Sequence, residues 1–120
     1  MFRRATPVLR SADYARSRKF YTEQLGFNVV EEGGDPARFG ILERDRAVIF
    51  IDSWHDGPGA KQKGWNAYFH LENLKAFHSE LTAAGAPIVR DPEKTNYGML
   101  EMEVMDPDGN VICFGQELSG

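Results

Sequence analysis

Residues 65–85, WNAYFHLENLKAFHSELTAAG, decide the fold. Trp65 to Leu71 is rich in aromatic, strand-favouring side chains. Asn73 offers a side-chain oxygen as a helix cap. Leu74, Phe77, Leu81 and Ala84 then share one helical face before Gly85 stops the run. The same signals occur once before. Thr6 to Arg10 is strand-like, Asp13 is a cap, and Tyr14 to Leu25 reads as a helix ended by Gly26. With Tyr68 laid on Val8, His70 on Arg10 and Asn73 on Asp13, Leu81 falls on Tyr21. Gly85 then lies one residue short of the place matching Gly26.

Three strands are expected after each helix. In the first half these are Phe27 to Val30, Phe39 to Leu42 and Ala47 to Asp52. Glu32-Gly33-Gly34-Asp35-Pro36 reads as turn material between the first two, because two glycines and a proline break either periodicity. In the second half they are Pro87 to Arg90, Met99 to Met105 and Val111 to Phe114. Asp106-Pro107-Asp108-Gly109-Asn110 is the tight turn between the last two. Ser53 to Gly64, rich in glycine and proline, reads as a linker or loop. Five elements in the same order imply a duplicated pattern, with halves at about 5–53 and 65–116 of one domain spanning 1–120.

Composition narrows the function classes. Fourteen Lys and Arg stand against 18 Asp and Glu, a formal charge of −4. With no long basic block, nucleic acid is excluded as a partner. A cationic or neutral ligand suits this balance better than an anionic one. No apolar run approaches the roughly eighteen residues that cross a bilayer, and Arg10, Asp13 and Arg16 interrupt any signal-peptide core. No membrane association and a cytoplasmic location are expected. Cys113 is the only cysteine, so packing rather than a disulfide within the chain must hold the fold.

Pro7-Val8-Leu9, Asp13, Phe20-Tyr21, Leu25-Gly26-Phe27 and the Asp106–Asn110 turn resemble, in order and spacing, the glyoxalase, bleomycin-resistance and extradiol-dioxygenase superfamily. The resemblance covers roughly Thr6 to Glu117. It implies an α+β fold of two βαβββ modules forming an open, cup-like barrel with the helices outside and a ligand within. It also implies that the enzymes of the family hold a divalent metal at positions matching Thr6, Phe50, Asn66 and Cys113 here. A phenyl ring cannot coordinate, and threonine and asparagine are poor ligands without stronger neighbours. No metal, no cofactor and no catalytic residue are therefore expected.

Without metal ligands the pattern resembles the bleomycin-resistance proteins most. That resemblance implies a homodimer that sequesters a bulky, cationic glycopeptide antibiotic in clefts between subunits. The alternative is a metal-dependent lyase, isomerase or dioxygenase of the same superfamily. Phe39, Phe50, Tyr68 and Tyr97 are the expected stacking aromatics, with Trp54 free to act as a lid or platform. Of the three histidines, only His70 has the strand parity to face the cup; His55 lies in the loop and His78 on the second helix. Glu101 and Glu103 share a face of the seventh strand. They either neutralise a cationic ligand together with Asp52 or face solvent opposite buried Leu100, Met102 and Val104. Cys113 completes the expected ligand-binding set as a small buried side chain of the cup.

Overall fold

A computed structural model describes residues 1–55 and 64–119. The first half runs β1 (Val8–Arg10), α1 (Tyr14–Glu23), β2 (Asn28–Gly34), β3 (Ala37–Arg44) and β4 (Ala47–Asp52). The second repeats the order with β5 (Ala67–His70), α2 (Leu74–Ala84), β6 (Ile88–Lys94), β7 (Met99–Met105) and β8 (Val111–Glu117). Two four-stranded sheets result, β1-β4-β3-β2 and β5-β8-β7-β6. In each, the first strand lies parallel to the last and the other pairs are antiparallel. The architecture is α+β with open sheets, as the family resemblance implies, in the element order the repeat predicts.

Both helices begin where a side chain satisfies the first turn. Asp13 accepts from the Arg16 N–H at 3.2 Å, and Asn73 accepts from the Ala76 N–H at 3.1 Å. At the end of α2, Gly85 takes φ +73°, so its N–H returns to the Leu81 and Thr82 carbonyls. The strand side chains facing the helices form the core: Leu9, Leu42, Ile49 and Ile51 in one sheet, Met102, Val104, Ile112 and Phe114 in the other. Each buries enough apolar surface to contribute about 1.5–3 kcal/mol. One core cluster spans both halves, with Phe27 and Phe69 meeting across the boundary at 6.3 Å.

The glycine-rich stretch after Val30 departs from expectation. Instead of turning at Glu32, β2 continues through Gly34, with register shifts after Val29 and Gly33. As the outer strand of its sheet it has one neighbour, so bulges and missing side chains are tolerated there. The outer strand β6 likewise continues through Pro92 to Lys94, with a register shift between Arg90 and Glu93. Proline is compatible with such an edge because no second ladder needs its missing N–H.

The Asp106–Asn110 turn is more than a hairpin tip. Buried Asp106 accepts from the Tyr21 hydroxyl at 2.7 Å, from the Asn110 side-chain amide at 2.8 Å and from two backbone N–H groups of its own turn. Asp108 accepts from the Ala12 N–H, the Ser17 hydroxyl and Arg16. The turn thus docks onto α1 of the other half. Reciprocally, Arg44 at the end of β3 donates to Glu80 on α2 at 2.9 Å and lies 5.0 Å from the Phe77 ring centre. Among the described residues, no helix is long and apolar enough to cross a membrane.

Candidate ligand-binding site

Strand alternation puts a second set of side chains on the sheet faces away from the helices. In the first half these include Phe39, Phe50 and Asp52. Phe39 pairs with Asp52 across β3 and β4, and Phe50 follows on the same face of β4. The Phe39 and Phe50 rings lie 5.4 Å apart. Just beyond β4, the Trp54 indole stacks on Phe39 with centroids 4.9 Å apart and planes 11° from parallel. Gly33 makes that stack possible, since a Cβ there would approach the indole to 2.8 Å. Trp54 stays 48% exposed, so the outer part of the stack remains open to solvent.

Asp52 is buried beneath this group. It accepts from the Trp54 N–H at 2.9 Å and contacts His55 Nδ1 at 2.7 Å; Arg10 Nε stands 4.0 Å away. Burial alone would raise its pKa. The hydrogen bonds from His55 and Trp54 and the nearby positive charge outweigh that and hold the carboxyl below the ordinary range. His55, read from sequence only as a loop residue, therefore belongs to the group.

In the second half, Tyr68, Glu101, Glu103 and Cys113 share one face because Tyr68 and Glu103 both pair with Cys113 across β5, β8 and β7. Glu101 is 1% exposed. It accepts from the Tyr68 hydroxyl at 2.9 Å, from the Tyr97 hydroxyl at 2.8 Å and from Arg90 at 3.0 Å. Gly115, opposite Glu101, lets Tyr68 lie across β8, because a Cβ there would overlap its hydroxyl. Glu103 accepts from Arg90 Nε at 2.8 Å and from the Trp65 indole N–H at 3.0 Å.

These contacts set the protonation states. Burial pushes Glu101 toward neutrality, but three donors and the Arg90 charge prevail, and its pKa lies below the usual value. The phenols of Tyr68 and Tyr97 are raised well above and above their ordinary range, Tyr68 chiefly by burial and Tyr97 chiefly by its bond to Glu101. Burial, reinforced by the Glu101 charge, pushes the Cys113 thiol up to about 12.

Seven expected residues thus lie in two groups: Phe39, Phe50, Asp52 and Trp54 in the first, and Tyr68, Tyr97 and Glu101 in the second. Glu103 and Cys113 sit beside the second group. His70 is exposed, its ring 5.0 Å from Tyr68, at the edge of a groove of about 780 Å³ between α2 and the β3–β4 turn. Among the described residues, no hydrogen bond or ring contact joins the two groups. Leu100, Met102 and Val104 are buried as well as Glu101, so β7 is covered on both faces. Of the two alternatives the sequence leaves for Glu101 and Glu103, a ligand's charge or solvent, buried Glu101 fits neither simply: Arg90, which sequence reasoning misses, already binds both carboxylates. The available signal was Arg90 at the end of an expected strand neighbouring β7.

The positions matching the superfamily's metal ligands do not fit a metal. Phe50 has no donor atom, and the Asn66 side-chain oxygen accepts from the Val111 N–H at 2.9 Å, fastening β8 instead. The Cys113 thiol holds its proton far above neutral pH. Among the described residues, no group of three His, Cys, Asp or Glu side chains is placed to hold an ion.

Comparison with known proteins agrees with this architecture. The chain is 28% identical over 115 residues to a bleomycin resistance protein of Klebsiella pneumoniae, covering 90% of this chain and 87% of that one. It is 26% identical over 116 residues to a probable lactoylglutathione lyase of Vibrio cholerae, covering 88% and 83%. The crystal structure of a bleomycin-binding protein complexed with bleomycin superposes with a TM-score of 0.79 at 26% identity, covering 97% of this chain and 99% of that one. The sequence model of the Glyoxalase/Bleomycin resistance protein/Dioxygenase superfamily matches residues 4–114, and the chain belongs to that superfamily.

Proposed function

We propose that this protein binds and sequesters a bulky small molecule carrying flat rings, in the manner of the bleomycin-resistance relatives, without transforming it. The observation that carries the reading is the open aromatic surface: Trp54 stacked on Phe39 in one half, and exposed Trp65 and Tyr97 in the other. Burying such rings against a planar ligand supplies affinity without any reacting group. A homodimer acting in the cytoplasm completes the proposal, with a second copy providing the opposing wall of each patch. Similarity to the bleomycin-binding protein supports it, as does the poor donor set at the family's metal positions.

Trp54 and Trp65 make the test direct. Titration with a panel of flat-ringed antibiotics, bleomycin among them, is expected to change tryptophan emission with saturation at micromolar concentration. Silence across the panel would overturn the proposal. The similarity to a probable lactoylglutathione lyase favours a second reading, a metal-dependent enzyme. One equivalent of divalent ion in protein purified without chelator would establish it at the expense of the first.

A further inference from the structure

The acidic groups of the second patch already carry a cation. Arg90 donates through Nε to Glu103 at 2.8 Å and through Nη2 to Glu101 at 3.0 Å. Both oxygens of Glu101 also accept from the Tyr97 hydroxyl, and one accepts from Tyr68. An ammonium or guanidinium entering here would have to displace donors already in place and would meet the Arg90 charge at close range. Glu93, 3.8 Å from Arg90 Nη1, is 68% exposed on its side chain, where solvent screens it.

A guanidinium has five N–H bonds and no acceptor. Two of those on Arg90 go to the carboxylates, and its side chain remains 26% exposed. Beside it stand the exposed rings of Trp65 and Tyr97, both tied to the same carboxylates. The surface left for a ligand is aromatic and donating, because the carboxylates behind it are already engaged by Arg90, Trp65, Tyr68 and Tyr97.

We propose that Arg90 is the specificity residue of this patch, and that the ligand class it selects is an uncharged flat aromatic bearing a hydrogen-bond acceptor, such as a carbonyl or amide oxygen, over a cationic one. This rests on the binding reading above and narrows it. Arg90 offers a charge-assisted hydrogen bond to the acceptor, while the neighbouring indole and phenol rings take the flat face.

Two probes sharing one ring system test it: anthracene bearing a carboxamide and anthracene bearing an aminomethyl group, titrated by tryptophan emission. The native protein is expected to bind the carboxamide about tenfold more tightly, the size of one charge-assisted hydrogen bond. In Arg90→Gln the order should invert, because two carboxylates lose their cation. In Glu103→Gln, which frees Arg90 Nε, the carboxamide preference should grow, and a fall in that preference would overturn the inference even if Arg90→Gln folds poorly. Equal or tighter binding of the aminomethyl probe by the native protein would overturn the inference, and so would a folded Arg90→Gln with an unchanged ratio. If neither probe binds at millimolar concentration while a member of the antibiotic panel does, the inference falls and the binding reading stands; silence of probes and panel together removes both.

Discussion

Gly115 lacks a side chain because the Tyr68 hydroxyl occupies the space a Cβ would take. Gly115→Ala should therefore expel Tyr68 from Glu101 and destabilise the fold by about 1–3 kcal/mol, as overpacking does. With Tyr68→Leu in the background the ring that crosses Gly115 is gone, and the alanine should cost less. A double-mutant cycle by urea unfolding measures the coupling. Glu101 has a separate signature. Its folded pKa lies below the ordinary 4.5, so its contribution is present above that value and is lost as pH falls through the folded one. The stability gap between native protein and Glu101→Gln should be about 1–3 kcal/mol at pH 7 and should shrink on acidification. Urea unfolding at both pH values checks it. Asp106, raised by burial, behaves in the opposite sense: its contribution is full at low pH and declines as pH rises. It titrates in both proteins and cancels from the difference. Little of this was legible beforehand. The parity of Glu101 and Tyr68 was readable from alternation, but the Arg90 that binds Glu101 comes from a strand whose register no local pattern fixes.

The edge strands show where element boundaries escape a sequence reading. Gly33 and Gly34 look like a turn because glycine favours turns, yet β2 retains them as strand, pairing with Phe39 and Ala37 of β3, with the Trp54 ring lying over Gly33. Long-range contact overrides the local signal there. Gly33→Ala should push the indole off Phe39, with loss of near-ultraviolet circular dichroism and a red shift in emission. Unchanged spectra would deny that the stack exists in solution. The helices, by contrast, were readable at their starts, because Asp13 and Asn73 act within their own first turns.

The order of ten elements followed from repetition at the scale of the whole chain; how the halves meet did not. Tyr21 and Asp106 are 85 positions apart, and nothing local in either sequence pairs them. Tyr21→Phe leaves the buried Asp106 short of one donor and should cost about 1.5–3 kcal/mol. Because one core cluster spans both halves, that loss should lower a single melting transition rather than uncouple two. Calorimetry tests this, with equal calorimetric and van't Hoff enthalpies as the expected result.

The docking of the Asp106 turn onto α1 also bears on ancestry. If the fold arose by doubling a self-pairing half, each turn once met the helix of an identical copy. In the present chain Leu81 holds the place in the second half that Tyr21 holds in the first, and Leu81 is fully buried. Two copies of the second half alone would set Asp106 against leucine, a carboxylate with no hydroxyl to receive. The Tyr21–Asp106 bond therefore belongs to a pairing of unlike halves.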